Sequence, residues 1–410
     1  MIIVPAPRPG TRVLAAVASM LPRARLDPQE LIARARRRTG LTDFGPEGPY
    51  EEALAVLCRA LDGEAALTPL GRQLARQMLL EALACQLRLQ DWLQREPAIL
   101  EAPIEAPVVI VGMPRTGTSI LHELLALDPA NRCPATWEVA HPFPPPAAAT
   151  CTSDPRIARH ARQLRFGEYL MPGVQNLHRM GTTLPQECVA ITAHVFVSMQ
   201  YSTIFHVPTY AAWLEHGADH ARSYRYHRRF LQYLQWRHRG ARWVLKSPAH
   251  LWSLEALLGV YPDARLVQTH RDPLRIVSSL ASMIPTMRSA YARGIDPQAV
   301  AREWSLHCAS ALDASVASRR AGAIRPGRVC DIAFAEFMRD PVAELRRLYA
   351  HFDLPFGAHV EQAAVRYLAE NPASKHGGHR HRFADTGLDV VGERARVADY
   401  QAYFGVPSEA

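Results

Sequence analysis

Residues 108–120 read VVIVGMPRTGTSI, and this stretch restricts the fold more than any other in the chain. Four consecutive β-branched apolar residues suit a parallel strand buried on both faces. Glycines 112 and 117, five residues apart, permit a tight turn in which successive backbone N–H groups converge. A helix expected from about Ser119 then brings its positive end to the same point. Strand, turn and helix in that order form a cradle for a phosphate group and point to a parallel α/β sheet.

The loop departs in one residue from the spelling that holds a triphosphate, G-x-x-x-x-G-K-[ST]. Gly112, Gly117 and Ser119 fit it, but Thr118 stands in the lysine position and the cation is Arg115, three residues earlier. A loop without that lysine keeps its cradle for one phosphate and loses its grip on the γ phosphate. The expected nucleotide is therefore not a triphosphate.

The formal net charge of +8 agrees with an anionic ligand, and a hydrophobic fraction of 48% with a globular chain. Cysteines 58, 85, 133, 151, 188, 308 and 330 are odd in number and form no C-x-x-C pair, which indicates free thiols and a cytoplasmic, reducing compartment. No run of 18 apolar residues is present, so no membrane-spanning helix is expected. Arg8 and Arg12 precede the apolar VLAAVASML at 13–21 in a pattern loosely like a secretory signal, but prolines 5, 7 and 9 fit a signal poorly. An amphipathic or frayed N-terminal helix is the expectation there.

Apolar residues recur at helical spacing over 26–95, as in Leu74, Met78, Leu79, Leu83, Leu87 and Trp92, which predicts an all-helical region. Prolines 97, 103 and 107 follow as a connector. After the strand at 108, the runs RWVLK (242–246), RLVQTH (265–270) and RVCDI (328–332) each adjoin a helical pattern. Strands alternating with helices predict a three-layer α/β fold with a central parallel sheet. The organisation expected is a helical region over 1–100 and an α/β domain over 101–410. A mostly helical insertion at about 141–240, opening with HPFPPP, would cover the ligand edge of the sheet.

PRTGTS at 114–119 resembles the 5′-phosphosulfate loop of sulfotransferases that use 3′-phosphoadenosine-5′-phosphosulfate (PAPS). The resemblance implies that Pro114, Arg115, Thr116, Gly117, Thr118 and Ser119 hold the donor's 5′ end. It also calls for an arginine after a later strand and a serine eight residues on, which grip the 3′-phosphate. Arg271 and Ser279 in RDPLRIVSS have that spacing, with Pro273 suited to a helix start. WVLKSPAHL at 243–251 is similar to the segment that supplies a catalytic lysine and often a histidine, here Lys246 and His250. The family's usual spacing is K-T-H, whereas these two lie four apart. Glu187 in TLPQECVAI matches a P-x-E segment that presents a glutamate, so Glu187 and His250 compete for the role of general base. AFAEFMRDPVAELRRLYAHFDLP at 333–355 is similar to the helical elements after the last core strand. KHGGHRHRF at 375–383 resembles a basic loop that closes over the nucleotide, with Lys375, His376 and Gly377 as its donor contacts. The resemblance covers about 108–388 and implies PAPS as donor, its product 3′-phosphoadenosine-5′-phosphate (PAP), and a small acceptor alcohol or phenol.

Sulfuryl transfer needs positioning and stabilisation of the leaving phosphate, which Arg115 and Lys246 would supply, and no metal is expected. His376, His379 and His381 could suggest a metal cluster, but Lys375, Arg380 and Arg382 among them would repel a cation. The aromatic and basic segment at 222–240 is the feature that would favour a nucleic-acid-binding protein. Tyr226, Phe230, Tyr233 and Leu234 share one helical face, however, so an amphipathic helix is the expectation, its aromatic face a candidate lining for the acceptor pocket. The ARARRR run at 33–38 is expected to be an exposed helix face. A nucleotide kinase using Mg²⁺-ATP is the other enzyme reading, and no nucleic acid partner is expected.

Overall fold

The computed structural model describes residues 8–177, 179–372 and 381–409. Its centre is a sheet of five parallel strands: β1 (Val108–Val111), β2 (Asn131–Arg132), β3 (Arg242–Lys246), β4 (Arg265–His270) and β5 (Val329–Ala333), in the order β2-β3-β1-β4-β5. The four expected strands are present to within a residue. The two-residue β2 was not anticipated, because Asn131 and Arg132 carry no apolar signal and are extended by pairing with Arg242 and Trp243.

The pleat of β1 sorts its side chains between two cores. Val109 and Val111 enter the larger cluster, which includes the N-terminal helices and the insertion, while Val108 and Ile110 pack with Leu121, Leu124, Leu345 and Leu348 on the other face. All four β1 residues are at most 1% exposed, which accounts for the unbroken apolar run in the sequence. Burying such a side chain is worth about 1.5–3 kcal/mol.

The helical reading of 26–95 resolves into helices Pro28–Thr39, Glu51–Gly63 and Pro69–Arg95. The last is capped by Thr68, whose hydroxyl accepts the Gly71 N–H at 2.9 Å, with Pro69 at its first position. Arg34, Arg36, Arg37 and Arg38 are exposed as expected. The insertion is built of short helices and the longer helices Pro155–Leu170 and His220–Gln235.

In His220–Gln235 the residues Tyr226, Phe230, Tyr233 and Leu234 are buried, as the helical spacing predicts. They face the N-terminal helices: Tyr226 meets Tyr50 edge to face at 6.3 Å and Tyr233 meets Trp92 at 5.9 Å. The aromatic stripe is therefore core between insertion and N-terminal region, and these rings do not line an acceptor pocket or stack on bases. On the outer side Arg222 and Arg225 pair with Glu47.

Candidate functional site

The strand order places β3, β1 and β4 side by side, so the residues at their carboxyl ends meet at one edge of the sheet. Neighbouring strands lie about 4.8 Å apart. Lys246 closes β3, the glycine loop follows β1, and Arg271 follows β4. Three positions spread over about 160 residues of sequence are brought together by strand pairing.

Gly112 has φ +141°, and a Cβ there would lie 2.2 Å from Thr269 Oγ1 and 2.9 Å from the Thr269 carbonyl. The approach permits the 2.6 Å hydrogen bond between Thr116 Oγ1 and Thr269 Oγ1, which ties the loop to β4. Gly112→Ala is expected to cost about 2–3 kcal/mol through backbone strain and overpacking. Urea unfolding measures this, and a midpoint equal to that of the parent would show that the loop does not make this approach. Arg115 also has positive φ, +74°, at a cost of about 1 kcal/mol for a residue with a Cβ.

That conformation turns the Arg115 side chain across to the helix Pro273–Arg288. Its Nε donates to Ser279 Oγ at 3.0 Å and its Nη1 to the Leu177 carbonyl at 2.9 Å. Burial first, and then the charge of Arg271, pull the Arg115 guanidinium below its ordinary pKa. Two guanidinium groups held close in a largely buried setting favour an anion between them. The first turn of the helix Thr118–Leu125 adds N–H groups without intrahelical acceptors.

Arg271 donates Nη1 to the Arg115 carbonyl at 2.9 Å and lies 3.9 Å above the Phe334 ring. Its remaining donors grip Glu409 in a fork, Nε to Oε1 at 3.0 Å and Nη2 to Oε2 at 3.1 Å. Arg275 reaches the same carboxylate at 3.5 Å, and the Glu409 N–H donates to Asp272 Oδ2 at 2.7 Å. Asp272 is fully buried, caps the helix at Leu274 N, and also pairs with Arg394. A carboxylate therefore holds the arginine fork that has the geometry to hold a phosphate.

Lys246 is 3% exposed, donates to Ser119 Oγ at 3.3 Å, and makes a short ion pair with Glu187. Glu187 stands just before the short helix Cys188–Thr192, which carries it from the insertion onto the end of β3. Behind Lys246, the buried His122 shares a 3.3 Å hydrogen bond with the Val244 carbonyl. Burial first, and then the Lys246 charge, push the His122 pKa down to about 3.

His250 takes a different position. It is 2% exposed, its Nδ1 shares a 2.7 Å hydrogen bond with the Tyr224 hydroxyl, and that hydroxyl contacts Ser253 at 2.8 Å. Burial, with smaller contributions from His227 and His220, lowers its pKa to about 3. His250 lines a small inner cavity with Cys188, Thr192, Tyr224 and Ser247. The four-residue spacing from Lys246 places it in a 3₁₀ turn, Pro248–Trp252, where it faces Tyr224.

Lys375, His376 and Gly377 lie outside the described residues, as does His379. The nearest described part of that segment is His381, whose Nδ1 lies 2.7 Å from Ser278 Oγ, one residue before Ser279. Among the described residues no group of three or more His, Cys, Asp or Glu side chains is placed to hold a metal ion. The sequence reading did not find Glu409, Asp272, Arg275 or Arg394. Asp272 and Arg275 stand in RDPLR itself, while Glu409 and Arg394 reach Arg271 and Asp272 only through tertiary folding.

The model of the family described as "Sulfotransferase family" matches residues 107–358. The structure is similar to sulfotransferase STF9 from Mycobacterium avium, with TM-score 0.83 and 30% identity over 93% of this chain and 97% of that one. It is also similar to sulfotransferase STF1 from Mycobacterium tuberculosis H37Rv, with TM-score 0.80 and 32% identity over 90% and 98% of the two chains. A curated relative, omega-hydroxy-beta-dihydromenaquinone-9 sulfotransferase Stf3 from Mycobacterium bovis, is 25% identical over 265 residues. That match spans 61% of this chain and 63% of the relative.

Proposed function

Because the chain belongs to the sulfotransferase family, we propose that it transfers a sulfuryl group from PAPS to a hydroxyl of a small, largely apolar acceptor. The observation that carries this reading is the meeting of Arg115, Lys246 and Arg271 at three adjacent strand ends, with Glu187 against Lys246. Residues 114–119 would cradle the 5′-phosphosulfate, and Arg271 with Ser279 would hold the 3′-phosphate. In the transfer, the bond from sulfur to the bridging phosphate oxygen breaks, a bond from sulfur to the acceptor oxygen forms, and the acceptor proton passes to a base. Charge develops on the leaving 5′-phosphate, where Arg115 and Lys246 can neutralise it. Glu187 is the base we favour, because it sits beside Lys246 while His250 faces inward and binds a proton weakly.

Thermal unfolding with PAP, and separately with Mg²⁺-ATP, tests the donor class. At a hundredfold excess over its Kd, PAP should stabilise the fold by about 2.7 kcal/mol without metal. Stabilisation by Mg²⁺-ATP alone would transfer the site to a kinase.

Arg271→Ala should weaken PAP about 10- to 100-fold while leaving binding of adenosine 5′-phosphosulfate, which lacks the 3′-phosphate, within about threefold. Glu409→Gln should act in the opposite direction and tighten PAP by about 3- to 10-fold, since the phosphate would no longer displace a charged competitor from Arg271. Calorimetric titration measures both, and equal loss of the two nucleotides in Arg271→Ala would remove Arg271 from the 3′-phosphate role.

The acceptor reading rests on the relative whose name describes a hydroxylated menaquinone, a lipid-like alcohol, and on the apolar insertion over the site. A panel of alcohols, phenols and sugars with labelled PAPS tests it, and turnover confined to sugars would overturn it.

A further inference from the structure

The helix Pro9–Met20 faces the wrong way for a helix in water. Ala18 is its one fully buried position and Leu14 is half-buried, while its other large apolar side chains point outward. Val13 is 64% exposed, Val17 53%, Met20 84% and Leu21, just beyond the end, 53%. The spacing 13, 17, 20 and 21 makes one continuous stripe along the helix. Soluble surfaces carry single exposed apolar residues freely, but an aligned set on one helix marks a contact surface.

Within the segment that carries the stripe, charge is of one sign. Residues 8–26 contain arginines 8, 12, 23 and 25 and no aspartate or glutamate, and all four arginines are exposed. Arg23 has a single acidic neighbour, Asp62 at 3.9 Å, and that carboxylate is also gripped by Arg72. At the start of the helix, Arg8 stacks 5.2 Å from the centre of the Tyr169 ring, near the end of the helix Pro155–Leu170.

We propose that this surface docks the protein on an anionic lipid bilayer, with Val13, Val17, Met20 and Leu21 entering the interface and the arginines meeting lipid phosphates. An apolar stripe bordered by cations is the pattern of an interfacial helix, in which buried apolar area and attraction to anionic lipid add. A stripe built for a second copy of the chain would face the four exposed arginines of the segment with the same four in its partner, which disfavours self-association. No described helix is long and apolar enough to cross a membrane. Docking of this kind is peripheral, and it is independent of the donor and acceptor assignments made above.

Flotation of the full chain with phosphatidylcholine vesicles, alone or with about 30% phosphatidylglycerol, decides the matter. The chain should partition at least about tenfold more strongly onto the anionic vesicles, and the preference should fade as salt rises. The double variant Val17→Glu, Met20→Glu should lose at least about tenfold of that partition. Both positions point into solvent, so unfolding midpoint and PAP stabilisation should be unchanged. A parent chain that ignores anionic vesicles, or a well-folded double variant that still floats, overturns the proposal. So does a parent dimer that the double variant separates without any flotation, which would give the stripe to a second copy.

Discussion

Lys246→Met is expected to lower kcat about 10²- to 10³-fold, the loss that follows removal of one donor from developing oxyanion charge. Methionine keeps most of the lysine's length and apolar stem, so the substitution removes mainly charge and donors. The PAP dissociation constant should move by less than about fivefold, since the expected phosphate grips, Arg271 and the glycine loop, remain. This separation distinguishes a group that acts on the reacting centre from one that holds the nucleotide. The lysine is poised for such a role by its surroundings. It is buried at the end of β3, held by Ser119 from the loop and by Glu187 from the insertion, so its ammonium needs little reorganisation when charge forms nearby. A steady-state kcat within about threefold of the parent, in a variant that PAP stabilises normally, would exclude Lys246 from transition-state stabilisation.

The parts of this site that the sequence displayed are those whose chemistry is local. VVIVG requires a buried parallel strand, and glycines 112 and 117 require a turn, whatever the rest of the chain does. RDPLRIVSS carries its own helix start, and the structure places Arg271 just before, and Ser279 within, the helix that follows β4. What was not legible depends on distant partners. Nothing near Glu409 signals that it will lie in the fork of Arg271, because 138 residues separate them. β2 is extended only by its neighbour β3. The aromatic face of His220–Gln235 was found correctly, but whether it covers a pocket or a core depends on where the N-terminal helices pack. His250 is the clearest case: a histidine shortly after a catalytic lysine suggests a base, yet a 3₁₀ turn between them aims it at Tyr224.

Glu187→Gln should reduce kcat by about 10²- to 10⁴-fold, the range a positioned general base contributes. Glutamine is nearly isosteric and can still accept from Lys246, so loss of the ion pair's geometry is not expected to account for the effect. The discriminating readout is the pH profile of kcat. A carboxylate base works only when ionised, which gives an ascending limb on the acid side, and this limb should be present in the parent and absent in the variant. His250→Asn supplies the contrast. With its pKa lowered to about 3 by burial, the imidazole is neutral throughout the working range and has little affinity for a proton, so kcat should stay within about threefold. Removing a buried ring leaves space, and a loss of stability is expected, so activity must be compared at a temperature where PAP still stabilises the variant. The opposite pattern, a silent Glu187→Gln beside an inactive but folded His250→Asn, would give the base to His250. It would also require the 248–252 turn to rearrange when the acceptor binds, which the present packing of His250 against Tyr224 and Ser253 opposes.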